Sequence, residues 1–202
     1  MADVYNPLEK LNLGKSVVDA LLASPAVGLN ELATFEGAGI YALYFHGSFE
    51  PYRLISGSAE SKELVPIYVG KAIPSGSRRG ASLTTTAIGR PLYSRIREHR
   101  ESIAAVRNLE VGEFSVRYIA VDDIWIPLAE ALLISMFNPI WNHLIDGFGN
   151  HDPGAGRYQG LVPLWDVLHP GRSWAGKCRP RSETAEELGR RVIDHLDASQ
   201  RR

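Results

Sequence analysis

The chain has 202 residues, 45% hydrophobic and 22% charged, with a net charge of −1 and one cysteine, Cys178. That is enough for one solid core, short for two large domains, and ordinary for a globular chain. It excludes an internal disulfide and a cysteine-cluster metal site.

In chain order, Leu8, Leu11, Val17, Val18, Leu21 and Leu22 predict a helix over 6–24, stopping before Pro25. GIYALYFH (39–46) is rich in β-branched and aromatic residues and predicts a strand, and 47–62 is polar and turn-like. LVPIYVG (64–70) predicts a second strand, with Pro66 favouring an edge or a bulge. The stretch 71–90 has no usable period and is a long loop, the kind that is more often functional than filler. Residues 91–107 predict a helix with the seam Leu92, Ile96, His99, Ile103 and Val106, and 113–121 alternates as a third strand. Asp122 or Asp123 is expected to cap a helix over 124–137, apolar on almost every side and so buried. After Asn138-Pro139 comes a loop at 146–157, then short helices at 162–168 and 184–196, the second opened by a Thr184–Glu187 capping box. The fold class is α+β: a small three-stranded mixed or antiparallel sheet flanked by helices. An N-terminal helical segment (1–37), a long loop insertion (71–90) and a helical C-terminal tail (143–202) complete a single domain.

The apolar run near 124–134 is broken by Pro127 and Glu130, which argues against a membrane span, and MADVYNPLEK lacks a secretory pattern, so a cytoplasmic location is expected. Charge is unevenly spread. Between Lys71 and Arg107 there are eight Lys/Arg and only two acids, Glu98 and Glu101, which fits phosphate binding without indiscriminate adhesion to polyanions. The alternative is a solvated basic helix and loop.

Three features carry chemistry. Glu130 lies in the seam Ile126–Glu130–Leu133–Phe137 of an otherwise apolar helix, where a carboxylate must meet a cation or donors; the structural alternative is a salt bridge to an arginine such as Arg95. Arg95 and His99 are four apart and project from one side of a helix, with His99 in the seam; alone, such a histidine reads as a satisfied core residue. Two strands each bring a tyrosine beside glycine, Tyr41 in Gly39-Ile40-Tyr41 and Tyr68 in Tyr68-Val69-Gly70, for which cross-strand packing is the alternative.

GIY at 39–41, YVG at 68–70, Arg95-x-x-x-His99, Glu130 on an apolar helix and Asn142 in NPIWN together resemble the GIY-YIG nuclease superfamily over residues 38–142. PIYVGKA (66–72), SRIREH (94–99), DGFGNHDPGAGR (146–157) and HPGRSWAGKC (169–178) extend the likeness to its type II restriction endonuclease branch, which includes enzymes cutting CCGCGG. YVG in place of YIG is a conservative departure.

The resemblance implies a metal-dependent endonuclease on double-stranded DNA, with Glu130 as ligand of one Mg²⁺ (Mn²⁺ as a substitute) and Arg95 on the phosphate. Tyr41, Tyr68, His99 and Lys71 would serve the nucleophile side, and Asn142 would hold geometry. Base reading would fall to Arg78, Arg79 and Arg90 in the long loop, or to Asn150, His151 and Arg157 in the 146–157 loop. A palindromic site is read most simply by a homodimer, and a cognate DNA methyltransferase is the expected partner. The alternatives are a homing- or repair-type nuclease of the same chemistry, or a DNA-binding protein of this fold without catalysis.

Overall fold

The computed structural model describes residues 9–57, 65–73, 89–154, 156 and 158–200. Among the described residues the α-helices and β-strands follow one another as α1 (Lys10–Ala23), β1 (Val27–Gly28), β2 (Gly39–Phe45), β3 (Tyr68–Ala72), α2 (Pro91–Ala104), β4 (Phe114–Ala120), α3 (Ile126–Phe137), α4 (Ile140–His143), α5 (Leu164–Leu168) and α6 (Ala185–Gln200). The sheet is antiparallel throughout, in the order β1-β4-β2-β3. It has one strand more than the sequence predicts. The addition, β1, pairs only Val27 with Val116 and Gly28 with Ser115, too short a run to leave a periodic signal.

β2 is the central strand, and all seven of its residues are buried because both faces of the sheet are covered. Alternation sends Tyr41, Leu43 and Phe45 to one face, where they pack with Leu92, Ile96 and Ile103 of α2 and with Trp141, Phe148 and Trp165 from the C-terminal half. Ile40, Ala42 and Tyr44 take the other face with Val18 and Leu21 of α1 and Ile126, Ala129 and Leu133 of α3. The molecule is therefore two apolar layers on one sheet, with β3 at one end of the strand order.

β3 starts at Tyr68 rather than at 64 and continues through Lys71 and Ala72. Pro66, which has no N–H to give, stays just outside the paired segment. Pro91 opens α2 at a position where a missing N–H does no harm, and α2 ends at Ala104, short of the expected 107. In α3 the expected aspartate cap is absent. Trp125 occupies the cap position with no side-chain bond, and Asp122 instead accepts the Ile124 N–H at 3.2 Å, ahead of the first turn.

The expectation that α3 is buried on almost every side is also corrected. Only Ile126, Ala129 and Leu133 are buried, and Met136 is 54% exposed, because the sheet and α1 cover two sides and nothing described covers the third. Gly14 brings α1 close: a Cβ there would sit 2.1 Å from Leu132 Cδ1. α6 begins as read, with Thr184 N–H donating to Glu187 at 2.8 Å and Glu187 N–H donating to Thr184 Oγ at 3.2 Å. Among the described residues no helix is long and apolar enough to cross a membrane.

Candidate active site

Three of the sequence motifs, GIY, YVG and Arg-x-x-x-His, converge on the α2-facing side of the sheet. Tyr41 lies directly across the ladder from Gly70, and its ring covers that glycine. A Cβ at position 70 would stand 2.3 Å from Tyr41 Oη and 2.5 Å from Cζ, so the glycine of YVG is what gives the phenol its place. Gly39 is demanded in the same way, since a Cβ there would meet the Ile119 carbonyl at 2.0 Å.

Tyr41 Oη and His99 Nε2 are 2.5 Å apart, and both side chains are buried, at 0% and 1% exposure. Burial, reinforced by the nearby Arg95, holds the His99 imidazole well below its usual pKa, so the ring is neutral, and one hydrogen bond joins its Nε2 to Tyr41 Oη. Burial, and then the neighbouring Tyr68, push the Tyr41 phenol well above 10, against the pull of Arg95. Tyr68 is half-buried beside them and is raised for the same first reason, again with Arg95 opposing. Its ring meets His99 edge-on at 5.1 Å.

Arg95, one turn before His99 on α2, donates to the Gly149 carbonyl at 2.8 Å and to Glu98 at 3.1 Å, and also touches His151 Nε2. His151 is 3.6 Å from Glu98 as well. Phe148 lies flat on the His99 ring, with centroids 4.4 Å apart and planes inclined by 19°.

On the opposite face of β3, Lys71 Nζ donates to Glu130 Oε2 at 2.5 Å. The partner of the half-buried carboxylate is thus Lys71 and not Arg95: Lys71 and Val69 alternate toward α3, whereas Arg95 lies on the α2 side. The edge strand separates the two groups without insulating them, since Glu130 raises both tyrosines. Asn142, on α4, binds the edge of β3 as a strand would, accepting the Val69 N–H at 2.8 Å and donating to the Val69 carbonyl at 2.9 Å.

Tyr41, Tyr68, Arg95, His99, Lys71, Glu130 and Asn142 are therefore gathered around β3. Of the residues expected to read bases, Arg90 is exposed just before α2, Asn150 is exposed in the 146–154 loop, and His151 stands against Arg95 rather than apart from it. Arg78, Arg79 and Arg157 lie outside the described residues. Sequence reasoning missed Phe148, Glu98 and the buried pair Asp166–Arg172. Phe148, Glu98 and Arg172 lie inside segments that carry the resemblance, but only the fold shows what they touch.

No group of three or more His, Cys, Asp or Glu that could hold a metal occurs among the described residues. A single carboxylate such as Glu130 suits a hard divalent ion, which keeps waters and takes phosphate oxygens as its other ligands.

A four-stranded antiparallel sheet carrying this tyrosine pair, Arg-x-x-x-His helix and glutamate is the GIY-YIG nuclease fold. The family model of the Eco29kI GIY-YIG domain matches residues 33–196, and the chain belongs to that family of type II restriction endonucleases. It is thus a restriction-type DNA endonuclease domain whose substrate is double-stranded DNA, in a family that generally uses divalent metal ions. No curated protein matches the chain.

Proposed function

We propose that this chain is a site-specific type II enzyme that hydrolyses phosphodiester bonds at a GC-rich palindrome of the CCGCGG kind. The observation that carries this reading is the closed Tyr41–His99 bond flanked by Tyr68 and Arg95, with Lys71–Glu130 across the edge strand.

The attacking water needs a base, and tyrosine alone is a poor one at neutral pH. Neutral His99 supplies the basicity: the Tyr41 O–H proton moves to His99 Nε2 as Tyr41 Oη takes a proton from the water. The water oxygen bonds to phosphorus, the P–O3′ bond breaks, and the 3′ oxygen departs. Tyr41 is wholly enclosed in the DNA-free chain, so the water is delivered past Tyr68, which reaches solvent. Arg95 exchanges its Glu98 and His151 contacts for the phosphate, where its planar fork offsets developing charge. Glu130 would hold Mg²⁺, or Mn²⁺ in its place, which supplies charge neutralisation at the phosphate and the leaving oxygen. Lys71 holds the carboxylate in place until then. Asn142 fixes β3, and with it Tyr68 and Gly70.

Recognition falls to Arg78, Arg79, Arg90, Asn150 and Arg157, with His151 serving the phosphate grip. A twofold homodimer matches a palindrome, a methyltransferase of the same specificity protects host DNA, and the enzyme works in the cytoplasm. The test is Tyr41→Phe beside wild type on phage DNA. Wild type gives discrete fragments whose ends map one palindrome, and the variant binds DNA without cutting it. Retained turnover in Tyr41→Phe removes the proton relay, and a smear from the wild type removes site specificity.

A further inference from the structure

The 146–154 loop touches three of the four α2-face residues. Phe148 stacks on His99, meets Tyr68 edge-on at 5.0 Å, and is followed by Gly149, whose carbonyl receives Arg95. The approach is close enough that a Cβ on Gly149 would lie 2.9 Å from Tyr68 Oη and 3.2 Å from Arg95 Nη2. What holds this loop is a single buried arginine.

Arg172 is 6% exposed and Asp166 4%. Arg172 Nε and Nη2 donate to the two Asp166 oxygens at 2.6 and 2.5 Å. Its remaining donors go to the loop backbone: Nη1 to the Phe148 and Asn150 carbonyls, each at 3.0 Å, and Nη2 to Gly147 at 2.9 Å. All of the N–H groups a guanidinium carries are thereby engaged. Its Cζ also lies over the rings of Trp165 and Trp174, 4.6 and 4.7 Å from their centroids, in cation–π contact.

We propose that Arg172, locked to Asp166, is a positioning residue for cleavage: it sets the backbone of 147–150 so that Phe148 holds His99 and the Gly149 carbonyl holds Arg95. Buried ion pairs are weak devices for stability as such, and their better use is to specify one geometry. Here the geometry specified is that of backbone carbonyls whose intervening side chain and carbonyl lie against the reacting residues. Lysine, with three donors on a flexible stem, cannot reproduce it.

The inference rests on the nuclease reading, and the test separates the two. Arg172→Lys keeps the charge opposite Asp166 and loses the fork; Phe148→Leu keeps the lock and removes the ring from His99. For each folded variant, single-turnover cleavage, binding of uncut DNA in Ca²⁺, and the NMR shifts of the His99 ring protons are measured. The expected result is a cleavage rate lower by about tenfold or more with DNA affinity within about threefold, as for a lost alignment rather than lost binding. The His99 protons, shielded by the stacked Phe148 ring, should move downfield in both variants.

A purely structural lock would lower melting temperature while leaving the rate of the folded protein unchanged, and that result overturns the proposal. If Arg172→Lys does not fold, Phe148→Leu decides: a wild-type rate in it overturns the proposal equally. A wild type that cuts no DNA overturns the nuclease reading, and unshifted His99 protons in folded Arg172→Lys then overturn the lock on their own.

Discussion

Replacing Gly70 by alanine tests the packing on which the site depends. The new methyl carbon would lie 2.3 Å from Tyr41 Oη, whereas ordinary contact begins near 3.4 Å, so something must move by about 1 Å. Tyr41 cannot yield easily: it is fully buried, and its hydroxyl is tied to His99 at 2.5 Å. β3 is the softer partner, paired through the ladder among the described residues only with β2, but Asn142 clasps Val69 beside it. Overpacking of this kind costs roughly 1–3 kcal/mol. For a chain of this length that lowers the melting temperature by roughly 2–4 °C per kcal/mol. The effect on cleavage should be larger than the effect on stability, because a displacement of about 1 Å in reacting groups can lower the rate about a hundredfold. Thermal melts and single-turnover digestion of Gly70→Ala measure both. A variant with wild-type melting temperature and wild-type rate would refute the claim that this glycine exists to seat the phenol.

Asn142→Ala leaves the Val69 N–H and carbonyl without their partner and should cost about 1–3 kcal/mol in urea denaturation, with cleavage falling as β3 loosens. Lys71→Met should separate stability from activity. The Lys71–Glu130 pair is partly exposed, so its removal changes unfolding free energy by about 1 kcal/mol or less, while cleavage is lost; a stability change several times larger contradicts this. Stability should fall in mild acid. Burial lowers His169 from 6.5 to about 3 and holds His99 well below its usual range, so between those limits the unfolded chain binds protons that the native chain does not. The stability is complete above about pH 6.5 and falls below it by about 1.4 kcal/mol per pH unit for each histidine. Urea unfolding at pH 7 and pH 5 measures the difference, and a flat profile would contradict the neutral assignment. His169 has the bonds of a neutral ring, with Tyr52 Oη 2.5 Å from Nε2 and Asn108 Oδ1 3.0 Å from Nδ1.

The elements marked by a period, a breaker or a β-branched and aromatic run were legible in the sequence. β2, β4 and α2 lie close to where period and breakers place them, and the Thr184–Glu187 box opens α6 as read. β1 was not legible, because two residues carry no period and its pairing with β4 is set by the tertiary fold. The solvent side of α3 was misread for a related reason: hydrophobicity shows which helices can be buried, whereas the number of neighbours decides how much is. In the site, tyrosine, arginine and histidine were readable because strand alternation and the four-residue helical spacing bring them to one layer. The partner of Glu130 was not, since choosing Lys71 over Arg95 requires knowing which face of β3 each side chain takes. Arg172 was the least readable: its meaning lies in carbonyls of residues 147–150, more than twenty positions away, and backbone oxygens leave no mark in a sequence.

The most direct test of the central claim is digestion of a phage or plasmid DNA by the purified protein in Mg²⁺ and in EDTA, with Glu130→Gln alongside. The account predicts discrete fragments in Mg²⁺, none in EDTA, and none from the variant under either condition. Equal cutting in EDTA, or by Glu130→Gln, would contradict the assignment of Glu130 as the residue that holds the metal. No cutting by the wild type on DNA that it binds would contradict the endonuclease account itself.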